Sequence, residues 1–305
     1  MSKAGLPRYD PVPIGEVAEP PFVRLPDPRS IFRVRAERFM ALASRHKLGP
    51  YLRLLGGLAS LQHDIQDGLP EPDLPGANAR ERAREFGMPP LDRQRFCAED
   101  AFEATFERLI SRAAAIEMPA AARAAVARAR DADLLARDAM ARAVLDDSIP
   151  VGALAEHIFT AAALQVHFAR LAARLVAERL VPVGDGACPS CGGPPATSLI
   201  VGWQGAHGTR FCACGLCATL WNYVRIKCVL CGSTSGISYQ EIENTTDTIK
   251  AETCDRCRGY VKILHQHRDA SLDPIADDVA SLGLDLLMRE ADYRRGGVNC
   301  FIYGH

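Results

Sequence analysis

From residue 28 to about residue 179 apolar side chains return every three or four positions, the spacing of one helix face. Phe32, Ala36, Phe39, Met40 and Ala43 mark the first helix, which opens at Asp27-Pro28-Arg29-Ser30. Gly49-Pro50 interrupts it. Tyr51, Leu54, Leu55, Leu58 and Leu61 then carry a second helix to about Gln66. Residues 68–90, rich in proline and glycine, read as a long loop with one polar helix over 77–86. Further helices are predicted over 98–115, 119–130, 132–145 and 150–179. The later ones are alanine-rich, which minimises the entropy lost on forming helix. Pro119 and Pro150 stand where first-turn prolines belong. The Gly56-Gly57 pair inside the second helix points to close packing. Before all this lie Pro7, Pro11, Pro13, Pro20, Pro21, Pro26 and Pro28, so residues 1–28 form an extended arm and not a helix.

After Val181 the pattern breaks. Seven glycines fall between Gly184 and Gly208, and short β-rich pieces follow at 198–201, 220–226, 236–241 and 260–265. From Pro274 to about Tyr293 the helical spacing returns, with Ile275, Val279, Leu282, Leu286 and Leu287 on one face.

The 305-residue length fits about two domains, and 48% hydrophobic residues suffice for a packed core. A net charge of −1 provides no general basic field for nucleic acid or an anionic membrane. No run of eighteen apolar residues offers a membrane span, and Met1–Pro7 has no apolar signal region. The expected compartment is the cytoplasm. Clustered cysteines there are metal ligands or redox groups more often than structural disulfides.

The eleven cysteines change the picture most, because ten lie at or beyond residue 188. Cys188/Cys191, Cys214/Cys217, Cys228/Cys231 and Cys254/Cys257 are each C-x2-C, and a shift of forty residues carries the first two pairs onto the last two. Such a register indicates a duplication. Two residues between cysteines let one tight turn aim both sulfurs at one ion, and two such knuckles complete a tetrahedral S4 site. The repeat predicts two sites, Cys188/Cys191/Cys214/Cys217 and Cys228/Cys231/Cys254/Cys257. The rival grouping joins the two inner pairs across a ten-residue spacer. Zinc and rubredoxin-type iron suit the geometry equally. Small β modules need such an ion to fold, so a structural metal is the plain expectation and a redox role the alternative. A Cys188→Ser change is expected to unfold its own module and spare the helices.

Residues 183–270 carry eight Lys/Arg against seven Asp/Glu. Two tetrathiolate centres would make the region net negative, which argues against nucleic acid as a partner. Trp203, Phe211, Trp221, Tyr223, Tyr239 and Tyr260 follow no basic stripe and are expected to cover the metal cores. Cys212 stands where the second half has Glu252, so it reads as a buried strand residue, with a redox or replacement-ligand role as the alternative. Cys97 and Cys300 read as ordinary thiols. His265 and His267 read as exposed strand polars, with service as extra ligands the alternative. His63, His157 and His167 read as satisfied or solvated helix residues. No nucleophile motif, phosphate loop or dinucleotide fingerprint occurs, so nothing here makes a case for an enzyme.

The sequence resembles the FdhE-type formate dehydrogenase accessory (maturation) proteins over most of its length. The resemblance is carried by Cys188-Pro189-Ser190-Cys191-Gly192, Cys214-Gly215-Leu216-Cys217 and Val224-Arg225-Ile226-Lys227-Cys228. It continues in Ile249-Lys250-Ala251-Glu252-Thr253-Cys254, Tyr260-Val261-Lys262-Ile263-Leu264 and Ala276-Asp277-Asp278-Val279-Ala280-Ser281-Leu282. In the helical half Arg35-Ala36-Glu37-Arg38, Leu48-Gly49-Pro50-Tyr51-Leu52-Arg53 and Pro89-Pro90-Leu91-Asp92 look like family segments. The resemblance implies a cytoplasmic protein that contacts the catalytic subunit of formate dehydrogenase and is needed for its activation. It implies two rubredoxin-like modules, favours iron over zinc, and matches all eight paired cysteines. Cys212 is not part of that pattern.

The expected architecture is multidomain, α and β. A proline-rich arm (1–28) leads to an all-α domain (29–182). Two tandem rubredoxin-like or zinc-ribbon-like metal modules (183–226 and 227–270) and a C-terminal helix with tail (271–305) follow. The expected function is maturation of formate dehydrogenase. The competing classes are a rubredoxin-like electron-transfer protein and a zinc-ribbon nucleic-acid binder.

Overall fold

The computed structural model describes residues 19–242 and 247–302. Most of the proline-rich arm, residues 1–18, lies outside them. Its last part is extended and lies on the body: Val23–Arg24 (β1) pairs with a later strand, Val23 opposite Trp221.

Seven helices follow: α1 (Pro28–Ala43), α2 (Gly49–Asp64), α3 (Ala77–Glu85), α4 (Asp100–Ala113), α5 (Ala120–Asp131), α6 (Leu134–Leu145) and α7 (Leu154–Ala172). Their starts have ordinary causes. The Asp27 carboxylate accepts from Arg29 N at 3.1 Å, Asp133 accepts from Ala136 N at 2.8 Å, and Pro28 occupies the first turn of α1. α3 buries none of its residues. α7 is the axis of the bundle: fourteen of its nineteen residues are buried, and it packs against α1, α2, α4, α5 and α6. Its alanines permit that crowding. A Cβ on Gly57 would lie 2.8 Å from Ile116, which accounts for the small residues in α2.

The single helix expected over 150–179 is not formed. Val151–Ala153 is a 3-10 turn, α7 ends at Ala172, and Ala177–Arg179 is another short turn. The end has a local cause. Arg174 N and Leu175 N bond three residues back and tighten the turn. Leu175 is then buried, and the Arg174 guanidinium bonds Pro72 O.

The remaining strands are β2 (Pro195–Ile200), β3 (Arg210–Cys214), β4 (Leu220–Asn222), β5 (Ile237–Gln240), β6 (Ile249–Cys254), β7 (Gly259–Leu264) and β8 (Arg294–Arg295). They form one sheet in the order β1-β4-β3-β2-β7-β6-β5, with β8 beside β7. Neighbours are antiparallel, except that β2 runs parallel to β7, Ser198 opposite Ile263, and β8 runs parallel to β7. The two halves of the repeat are thus joined edge to edge. The strand expected over 220–226 stops at Asn222, and β3 and β6 were not expected. Every residue of β3 is buried, so its sequence lacks the alternation that marks a one-sided strand.

The C-terminal helix is also divided, into α8 (Ala276–Ala280) and α9 (Leu282–Glu290). Lys262 Nζ donates to Asp278 O at 2.8 Å and Ser281 O at 3.1 Å, drawing off carbonyls that a continuous helix would use. The break changes the phase. Leu286 and Leu287 face solvent, and Leu284, Asp285 and Met288 turn inward.

Candidate metal centres

Each cysteine pair sits on a tight backbone turn. Cys188 N donates to Gly193 O and Gly192 N to Cys188 O, both at 2.8 Å. Forty residues on, Cys228 N donates to Ser233 O at 2.8 Å and Gly232 N to Cys228 O at 2.9 Å. Gly192 (φ +77°) and Gly232 (φ +72°) take the left-handed conformation that such turns need. The other two pairs are followed by Ala218 (φ +57°) and Arg258 (φ +53°), so all four turns share the device although only two carry glycine.

The turns bring the sulfurs together in fours. The Sγ atoms of Cys188, Cys191, Cys214 and Cys217 lie within 4.8 Å of one another, and so do those of Cys228, Cys231, Cys254 and Cys257. Cys188–Cys217 and Cys191–Cys214 are 3.6 and 3.5 Å apart; Cys228–Cys257 and Cys231–Cys254 are 3.9 and 3.8 Å apart. Metal–sulfur bonds of 2.3 Å in a tetrahedron place sulfurs roughly 3.8 Å apart, so each cluster could hold one ion. Burial raises the Cys188 thiol well above its ordinary range, and the neighbouring thiols add to the effect. A cation is what would let four thiolates share this space.

The first cluster is built into the helical body. Leu91 N donates to Ser190 O at 2.9 Å, Arg93 N to Cys191 O at 3.1 Å, and Gln165 Nε2 of α7 to Gly215 O at 2.8 Å. All four sulfurs belong to the same apolar core as α7. The Arg93 guanidinium, 2.6 Å from Asp147, stays charged. Burial opposes this, but Asp147 and the cysteines Cys191 and Cys214 outweigh it. Thr219 Oγ1 lies 3.2 Å from Cys217 Sγ. Of the aromatics, Trp221 shares this core and Tyr223 bonds Cys228 O. Trp203 and Phe211 pack in a separate cluster and Tyr260 in a third.

Cys212 is fully buried and belongs to neither cluster. Its Sγ lies 3.6 Å from Ser198 Oγ, beside the buried Arg210–Glu252 ion pair at 2.9 Å. Burial raises its thiol despite Arg210. The two unmatched positions of the repeat, Cys212 and Glu252, therefore meet around one arginine at the seam between the halves. Cys300 is mostly enclosed, its thiol pushed up to about 12 by burial, and Gln165 Nε2 stands 3.4 Å from it. Cys97 is exposed on the rim of a cleft of about 730 Å³ between α3 and α7, next to the exposed Phe86 and Met88. His265 and His267 lie just past the end of β7, not on it, and neither joins a cluster.

Sequence reasoning missed two buried polar features. One is a four-charge network. Lys262 Nζ is 3.1 Å from Asp278 and 2.5 Å from Asp285, and Arg295 bridges the same two carboxylates. Tyr260 and Asn299 complete it. Alongside, Arg35–Asp273 and Arg38–Asp277 tie the C-terminal segment to α1. Its only signal was the density of charge in Ala276-Asp277-Asp278 and Tyr293-Arg294-Arg295, which reads equally well as solvated surface.

The other is His167, expected to be satisfied or solvated. It is buried among Phe96, Phe102 and Phe168, with Nδ1 unbonded and Nε2 3.6 Å from Glu99. Burial lowers its pKa to about 4, with Arg170 adding to the shift. Between pH 6.5 and 4 the unfolded chain therefore binds the proton that the folded chain refuses. Stability should fall as pH drops through that window, by up to about 3 kcal/mol from this group. Denaturant unfolding at pH 7 and pH 4.5 should show His167→Phe losing less stability than the wild type. An identical pH dependence would refute this assignment.

An α-helical body joined to a sheet with two tetracysteine clusters, each able to hold one metal ion, defines the class of this protein. Three family models together span it: FdhE, N-terminal over residues 20–185; FdhE, central domain over 187–225; and FdhE, C-terminal domain over 226–302. The chain belongs to the FdhE family. It is 45% identical to the Protein FdhE homolog of Rhizobium meliloti (strain 1021) over 97% of both chains. It is 34% identical to the Protein FdhE homolog of Pseudomonas aeruginosa over 93% of both. The crystal structure of the FdhE protein from Pseudomonas aeruginosa superposes with a TM-score of 0.83, covering 93% of this chain and 99% of that one. No helix among the described residues is long and apolar enough to cross a membrane.

Proposed function

We propose that this protein is a cytoplasmic maturation factor for formate dehydrogenase. It binds the catalytic subunit and supports its activation without catalysing a reaction of its own. The observation that carries this reading is FdhE-family kinship along nearly the whole chain, combined with two tetracysteine clusters. Cys188/Cys191/Cys214/Cys217 and Cys228/Cys231/Cys254/Cys257 each hold one ion, iron in preference to zinc. The ion would keep the knuckles closed and, as iron, could also carry one electron. The chain divides at residues 28, 182, 226 and 270 into arm, helical domain, two metal modules and C-terminal segment. The helical domain supplies docking surface, where the exposed Phe86 and Met88 stand beside the α3–α7 cleft.

Tagged protein should co-purify with the catalytic subunit, and Phe86→Asp should weaken that capture. A deletion strain should lose formate oxidation. No association, together with normal formate oxidation in the deletion strain, would refute the reading. The second reading, an electron-transfer protein, draws on the fit of four thiolates to rubredoxin-type iron. Anaerobically purified protein that is colourless, zinc-loaded and inert to reductant would exclude it.

A further inference from the structure

We propose that the two centres have different jobs. The ion at Cys188/Cys191/Cys214/Cys217 is fixed, and the ion at Cys228/Cys231/Cys254/Cys257 is the one that exchanges with soft ligands outside the protein. Exchange enters through Cys231 and Cys257. The proposal rests on the reading that each cluster holds one ion, and it assigns the clusters a division of labour that their shared spacing does not suggest.

Three observations carry it. The first is access. The sulfur-bearing residues of the first cluster are at most 3% exposed, whereas Cys231 is exposed and Cys257 partly so. An incoming ligand can reach a metal only along a path that the protein leaves open.

The second is anchoring. Opening the first cluster means breaking the bonds from Leu91, Arg93 and Gln165 and disturbing the core shared with α7. The second cluster is tied less closely: Val229 of its first turn reaches that core and Leu230 packs against it, but Cys228, Cys231, Cys254 and Cys257 stand outside it. Their turn is held by short contacts at the sheet's end, among them Lys227–Asp185 at 2.7 Å and Tyr223 Oη to Cys228 O at 3.2 Å. Local opening is therefore less demanding there.

The third is the surrounding surface. Val224 and Ile226 precede Cys228 and are 59% and 72% exposed. β5, the outermost strand on that side of the sheet, begins opposite Cys254 and exposes Tyr239. The second cluster thus has an exposed cysteine, apolar side chains shortly before its first turn and, among the described residues, the last strand of the sheet on its side, all open to an incoming ligand.

The test uses the full chain loaded with zinc and checked by metal analysis at two ions per chain. Challenge with the chromophoric chelator 4-(2-pyridylazo)resorcinol should release one ion at least roughly tenfold faster than the other, as expected when one site needs no large local opening. Cys231→Ser should abolish the fast phase and leave the slow one. Because that variant could lose structure, iodoacetamide labelling of loaded Cys97→Ser protein provides a second readout. Mass spectrometry should find Cys231 and Cys257 modified before Cys188, Cys191, Cys214 or Cys217. Two ions leaving at one rate would overturn the proposal, as would a fast phase that survives in Cys231→Ser or labelling that begins in the first cluster. A chain that takes up fewer than two ions refutes the two-ion reading, and this proposal with it. Two ions that depart together refute the division of labour alone.

Discussion

Cys188→Ser should leave one ion per chain instead of two and lower the melting temperature of the helical body together with that of the sheet. The physical reason is the shared core. Cys188, Cys191, Cys214 and Cys217 are buried in one apolar cluster with Phe159, Leu164 and Phe168 of α7. The Cys188 turn also accepts backbone hydrogen bonds from Leu91 and Arg93. A structural S4 ion contributes apparent binding energy on the order of 10 kcal/mol, comparable with the whole stability of a domain. A serine hydroxyl is a poor fourth ligand, so most of that energy is lost. Viewed along the chain alone, the damage would stay within one forty-residue module. In the fold it spreads, because the cysteines of that module are buried in the core of the helical body. Helical circular dichroism during thermal unfolding, paired with metal analysis, provides the check. A variant with one ion and wild-type melting of the helices would contradict the shared-core argument. Cys257→Ser, at the more exposed cluster, should also lose one ion but shift the helical melt less.

The second large effect concerns Lys262. Its ammonium is fully buried and faces Asp278 and Asp285, while also bonding the carbonyls of Asp278 and Ser281. Lys262→Met fits the volume but leaves two buried carboxylates with Arg295 as their remaining cation. Breaking a buried pair in this way costs about 3–5 kcal/mol. The pH dependence has a definite sign. Burial raises the Asp278 carboxyl, but Arg295 and Lys262 outweigh it and hold the group below its ordinary range. In the wild type this stabilisation is present at pH values above the unfolded carboxylate pKa. It is lost as pH falls through the lower folded value. In the variant the carboxyl is protonated more readily, which relieves the unpaired charge. The difference between variant and wild type should therefore be largest near pH 7 and shrink toward pH 4. Urea unfolding at the two pH values measures it. A penalty below about 1 kcal/mol at pH 7 would mean that the network is better hydrated than its burial indicates.

Some of this protein is plain in the string of residues. The helices α1, α2 and α4 to α6 follow from apolar spacing and from punctuation such as Asp27-Pro28 and Pro119, because helix formation is local. The cysteine turns are legible for the same reason: two residues between cysteines, followed in two of the four by glycine, define the turn within five positions. What failed was whatever depended on distant neighbours. The end of α7, the break at Ser281 and the inward face of α9 were set by Arg174 reaching Pro72 and by Lys262 capturing helix carbonyls. β3 escaped notice because burial on both faces removes the alternation by which strands are recognised.

The sequence by itself determined the helical body, the four cysteine turns and their forty-residue register, since each is written in residues that touch along the chain. Only the tertiary structure decided that the two halves share one sheet through β2 and β7, and that Cys212 and Glu252 meet at Arg210. It alone decided that one cluster is sealed against α7 while the other opens to solvent. A repeat in sequence implies equal local geometry, but burial is set by what packs around each copy. The duplication placed only one of its two cysteine clusters in the core built around α7.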